Sequence, residues 1–117
     1  MKTIKTKEEL KKALDAGEKN FVIADEKLLK ALAVRYWIQN NKTKGALLLA
    51  ALPAAIAAGS AVAPIVGIIG AGLVIGGVSI TVAEIIAIGL IIIALAAVLS
   101  GQRIESIDLK ESKIKFK

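Results

Sequence analysis

The hydrophobic and polar positions divide the chain into three stretches with different rhythms. From Met1 to Lys44 they alternate in short, recognisable periods, and after Arg103 they alternate again. Between Gly45 and Gly101 the rhythm stops: there is no Lys, Arg or Asp, and Glu84 is the one ionisable side chain. An amphipathic helix shows polar residues every three or four positions and a half-buried strand every second one. Neither period is present, so the middle stretch reads as apolar on all sides.

The flanks predict ordinary elements. "KTIKT" reads as a short strand. "KEELKKALDAGE" reads as a helix, with Thr6 as N-cap, Glu9 at the capping-box position, Leu10, Ala13 and Leu14 on one face and Gly17 as the stop. "NFVIAD" is a second strand, and Asp25 caps a helix in "EKLLKALAVRYWIQNN" whose stripe is Leu28, Leu29, Leu32 and Ala33. In "RIESIDLKESKIKFK", Ile107 with Leu109 and Ile114 with Phe116 alternate around a turn, as in a β-hairpin. A lone hairpin is marginal in water, and about 40 residues is near the lower limit for independent folding. The expectation is therefore one α+β domain, β-α-β-α plus a C-terminal hairpin, formed by residues 1–44 and 103–117 together.

The middle stretch, 45–101, is expected to be a two-helix transmembrane hairpin inserted into that domain. A span takes about 20 residues, so a run of more than about 50 suits two, turning at Gly76 and Gly77: a first limb over about 45–75 and a second over about 78–100. The thirteen Ile, Leu and Val residues of the second limb outweigh one carboxylate on insertion scales. Pro53 and Pro64 interrupt the first limb, which is either one kinked span or an interfacial helix followed by a span.

Composition sharpens this expectation. Of the 117 residues, 56% are hydrophobic but only 3% aromatic, a palette of Ala, Ile, Leu, Val and Gly that suits packed membrane helices. Residues 1–44 carry eleven basic against six acidic side chains, and 103–117 five against three. Such flanks remain on the cytoplasmic side, so an integral membrane protein with both termini cytoplasmic is expected. The first 20 residues lack an apolar signal core, so the amino terminus is expected to be retained. Tyr36, Trp37, Lys42 and Lys44 then fall at the headgroup level as an interfacial anchor, or Trp37 is simply core.

Two features of the middle stretch are candidates for function. Gly59, Ala63, Gly67 and Ala71 recur every four positions, continued by Gly72 and Gly76, a spacing that lets helix backbones approach closely and predicts self-association. Glu84 is an intramembrane carboxylate, read as a functional group or as a side chain reaching the interface.

Other chemistry is poorly supported. The chain contains no His and no Cys, which removes the imidazole base, the thiolate nucleophile and the usual zinc ligands. "GAGLVIGG" lacks the third glycine of a dinucleotide-binding turn, where Ile75 stands. No enzyme and no cofactor are expected. The net charge of +6 is mixed with acids and free of aromatic interleaving, so attraction to anionic lipid is favoured over nucleic acid. Three functions fit these expectations. The first is an oligomeric membrane assembly, a pore or membrane-disrupting effector. The second is a non-conducting membrane anchor or scaffold presenting a docking domain to a cytoplasmic protein partner. The third is an ion- or proton-conducting subunit using Glu84. All three place the protein in a lipid bilayer, the first as a homo-oligomer.

Overall fold

A computed structural model describes residues 1–59 and 63–117. Strand β1 (Lys2–Ile4) leads into helix α1 (Lys7–Asp15), strand β2 (Asn20–Ile23) and helix α2 (Glu26–Asn40). The middle stretch contributes α3 (Lys42–Ala58), α4 (Ala63–Ile69), β3 (Gly72–Ile75), β4 (Val78–Thr81), α5 (Val82–Ala87) and α6 (Gly89–Leu99). Strands β5 (Ile104–Asp108) and β6 (Lys113–Phe116) end the chain.

Local chemistry explains the first elements. Thr6 is extended at φ −132°, and its hydroxyl accepts the Glu9 amide at 3.1 Å, which satisfies a donor at the start of α1. Gly17, at φ +83°, takes the left-handed conformation that ends the turn after α1. Asp25 accepts the Lys27 amide at 3.2 Å and starts α2.

The two ends of the chain share one four-stranded sheet, ordered β1-β2-β6-β5. The β1-α1-β2 crossover makes its first pair parallel, with Ile4 opposite Ile23. Then β6 adds antiparallel to β2, placing Ile114 against Phe21, and β5 completes the sheet. Burial alternates along β6, where Ile114 and Phe116 point inward and Lys113 and Lys115 outward. That alternation means one covered face. Phe21 and Phe116 meet there edge to face, ring centroids 5.9 Å apart at 72°.

The expectation of a transmembrane hairpin is overturned. Among the described residues no helix is long and apolar enough to cross a membrane. Glycines cut the apolar run into short pieces. α3 has 17 residues, about 25 Å at 1.5 Å per residue, and stops at left-handed Gly59, φ +67°. α4 has 7 residues, α5 has 6 and α6 has 11, which is about 16 Å. Between α4 and α5 the chain is not helical at all: Gly76 and Gly77, both at positive φ, turn β3 back onto β4 in a two-stranded antiparallel sheet. Neither limb, over 45–75 or over 78–100, is therefore a span. The integral-membrane location and the cytoplasmic placement of both termini, which rested on two crossings, are withdrawn with it.

The short pieces pack on the terminal elements instead. α6 lies against α1, α2 and α3, and α2 also contacts α3 and β3. The buried side chains form one cluster, from Ile4, Leu10 and Phe21 through Leu32 and Leu48 to Ile85, Ile92 and Leu95. The Cα radius of gyration is 13.6 Å, against about 13.4 Å for a compact chain of this length. The accessible surface of 6093 Å² likewise matches the roughly 6,100 Å² of a folded monomer of this mass.

Candidate functional site

Glu84 is held by bonds from two directions. Its own helix begins with a reciprocal box in which the Glu84 amide donates to Thr81 Oγ1 at 3.2 Å and the Thr81 amide donates to Glu84 Oε1 at 3.1 Å. The other carboxylate oxygen accepts from Lys30 Nζ on α2, an ion pair 54 residues apart in sequence. Lys30 also reaches Glu26 one turn earlier at 3.2 Å. Lys30 and then the Thr81 amide hold the Glu84 carboxyl below its ordinary 4.5, and Glu84 and then Glu26 raise the Lys30 ammonium above 10.5. Glu84 is thus a cap and a tie between α5 and α2. The conducting reading of Glu84 loses its basis, because the carboxylate lies in no span.

The small-residue positions do not form one helical face; only Ala63 and Gly67 share a helix. Gly59 ends α3, and Ala63 and Gly67 lie exposed on α4, where a side chain at Gly67 would meet open space. Residues 60–62, between Gly59 and Ala63, lie outside the described residues. Ala71 precedes β3 and accepts the Val82 amide at 3.2 Å. Gly76 is in the β3–β4 turn. Of the four glycines in the series, only Gly72 is a close approach: a Cβ there would collide with the Ile80 carbonyl on β4. The helix-to-helix approaches are at two other glycines. A Cβ on Gly45 would lie 2.8 Å from the Ile38 side chain, and one on Gly89 2.7 Å from Ile56 Cδ1. Neither stands in the four-residue series, and what they share is a facing Ile, which no spacing within one helix reveals.

Tyr36 and Trp37 are part-buried on α2 and pack against the core. Lys42 and Lys44 are exposed in the first turn of α3. Among the described residues no helix that could cross a membrane follows them, so the interfacial-anchor reading is withdrawn.

The surface of the middle stretch is its most unusual property. α6 carries no polar side chain from Gly89 to Leu99; its inner face buries Gly89, Ile92, Leu95 and Leu99, while Leu90, Ile93 and Ala97 face outward. Leu90 is 68% exposed. α3 beside it buries Gly45, Leu48, Leu52 and Ala55 and shows Ala46, Leu47, Ala50 and Ala54. A helix that is apolar all round is ordinarily covered on every side. The outer stripes of α6 and α3 are not.

Comparison with known proteins places no relative beside this chain: no family model, no curated protein and no solved structure matches it.

Proposed function

We propose that the chain is a non-catalytic assembly module in which two copies join through the outer faces of α6 and α3. The observation that carries this reading is the uncharged stripe of Leu90, Ile93 and Ala97 on a helix without a single polar side chain. Exposed apolar surface of this continuity marks an interaction site. A second copy suits it by charge. Every ionisable side chain except Glu84 lies outside residues 45–101, and Glu84 is already paired with Lys30. Beyond Lys42 and Lys44 in the first turn of α3, these helices offer a charged partner nothing to read, whereas two identical uncharged faces meet without burying an ion.

A binding role over a catalytic one is supported by what the carboxylates do. Glu105 pairs with Lys115 at 3.1 Å and Glu111 with Lys113 at 3.0 Å, on the exposed side of the terminal sheet. The sequence supplies no His or Cys to work beside them.

Sedimentation of the full chain in buffer without amphiphile tests the proposal. The expected result is a particle of twice 12.2 kDa, reduced to the monomer by Leu90→Lys with the thermal melt of the monomer intact. A second variant, Ile93→Lys, repeats the test at another point on the stripe. A wild-type chain that stays monomeric at every accessible concentration overturns the proposal. So does Leu90-dependent binding to neutral phosphatidylcholine vesicles by a monomer, which would assign the face to lipid.

A further inference from the structure

A second feature lies between α2 and α6 and runs to the end of α6. Arg35 projects from α2 onto α6, where its Nε donates to the Ile92 carbonyl at 2.7 Å and one terminal nitrogen to the Ile93 carbonyl at 3.3 Å. These are neutral acceptors. Among the described residues no carboxylate lies in salt-bridge range of Arg35 or of Arg103. Desolvation is the one cause moving the Arg35 guanidinium, and it moves it downward. A part-buried cation without a counter-charge is unusual, because an ion taken from water is ordinarily paired.

An open cavity of about 300 Å³ adjoins it, lined by Arg35, Gln39, Gln102 and Arg103 beside Ile38 and Leu99. Its acceptors are already used. Gln39 donates to the Ile104 carbonyl at 2.6 Å and accepts the Ile104 amide at 2.9 Å, so both ends of its amide are occupied. The Gln102 carbonyl accepts Lys19 Nζ at 3.0 Å, which brings a third cation to the rim. What remains unspent on the side chains of this wall is donors: N–H groups of Arg35, the Arg103 guanidinium and the Gln102 amide nitrogen.

The end of a helix repels anions when its last carbonyls are free. At the end of α6 three of them are taken. The Ala96 carbonyl accepts the Ser100 amide at 3.2 Å, the Ala97 carbonyl the Ser100 hydroxyl at 2.7 Å and the Leu99 carbonyl the Gln102 amide at 2.8 Å. A cavity with two arginines, a lysine at its edge, no acid and few open acceptors selects a compact, acceptor-rich anion.

We propose that the cavity between α2, the end of α6 and the Gly101–Arg103 link binds a phosphate group, held by the free edges of Arg35 and Arg103 with Gln102. The chemistry is that of a phosphate dianion, whether free as inorganic phosphate or carried as a monoester headgroup. Arg35 is oriented in advance by the two α6 carbonyls, so little side-chain entropy is lost on binding.

Calorimetric titration of the full chain with inorganic phosphate, at constant ionic strength in chloride, tests this, with flotation on phosphatidic acid and neutral phosphatidylcholine vesicles as the second arm. One saturable site is expected, weakened about tenfold by Arg103→Gln, an exposed residue whose loss leaves the fold intact, and less than twofold by Lys12→Gln, the same charge change on α1. Arg103-dependent binding to phosphatidic acid vesicles without binding of inorganic phosphate would name the headgroup as the source. The proposal is overturned if neither arm shows saturable binding, or if Lys12→Gln weakens it as much as Arg103→Gln.

Discussion

At the scale of single residues, Glu84 shows how one side chain serves two elements. Its carboxylate caps α5 and pairs with Lys30 on α2, so Glu84→Gln removes a charge-assisted cap together with a partly exposed ion pair. At neutral pH this is expected to cost about 1 kcal/mol, solvent screening keeping the pair's share small. The pH dependence has a definite sign. Because folding holds the Glu84 carboxyl below 4.5, its stabilisation is complete above that value and is lost as pH falls through the folded value. Urea melts of the two proteins should therefore differ above pH 4.5 and converge in stronger acid; a gap that persists unchanged in acid would contradict the pairing. The glycines give a second contrast. Gly67→Ala fills open space on an exposed helix and should stabilise by up to about 1 kcal/mol. Gly72→Ala drives a methyl into the Ile80 carbonyl and should destabilise by about 2 kcal/mol. Denaturant midpoints moving in opposite directions would check both.

Elements show where the sequence was readable. Thr6 with Glu9, Asp25 before Glu26, and the alternation through Ile114 and Phe116 have local causes, and α1, α2 and β6 stand where those signals fall. The middle stretch misleads because alanine counts as apolar yet costs little on a surface helix, where it is the strongest helix former. α3 faces outward through Ala46, Ala50 and Ala54 and inward through Leu48 and Leu52; that difference in size, not in polarity, is its amphipathicity. Gly76 and Gly77 signal a turn in the sequence and make one in the fold, but a turn between four-residue strands and one between spans look alike in sequence. The Arg35 cavity was hidden for a different reason, since its residues come from α2, α6 and the following link and converge only in three dimensions. α3 also begins badly: Lys42 and Lys44 occupy its first turn, no acid is present there and Asn41 makes no side-chain cap. Cations at that end oppose the helix dipole. Lys44→Glu is expected to raise stability by about 0.5 kcal/mol, read as a higher urea midpoint that 1 M salt largely erases.

The whole molecule is divided in chemistry though continuous in packing. Its charged residues, Glu84 excepted, lie in the two ends of the chain that make the four-stranded sheet, while the described part of residues 45–101 packs its helices and hairpin against those ends. Surface of that kind is stable in isolation but better covered, and coverage by a second copy links folding to concentration. If α6 and α3 form the contact, the melting temperature must rise with protein concentration, because association draws on the folded state alone. The rise should persist or grow in sulfate, which strengthens apolar burial, whereas a contact made of ion pairs would weaken as salt screened it. Leu90→Lys should flatten the dependence and bring the melt to the low-concentration limit of the wild type. A wild-type melting temperature independent of concentration over a hundredfold range would mean that the stripe of Leu90 and Ile93 is not the surface through which copies of this chain meet.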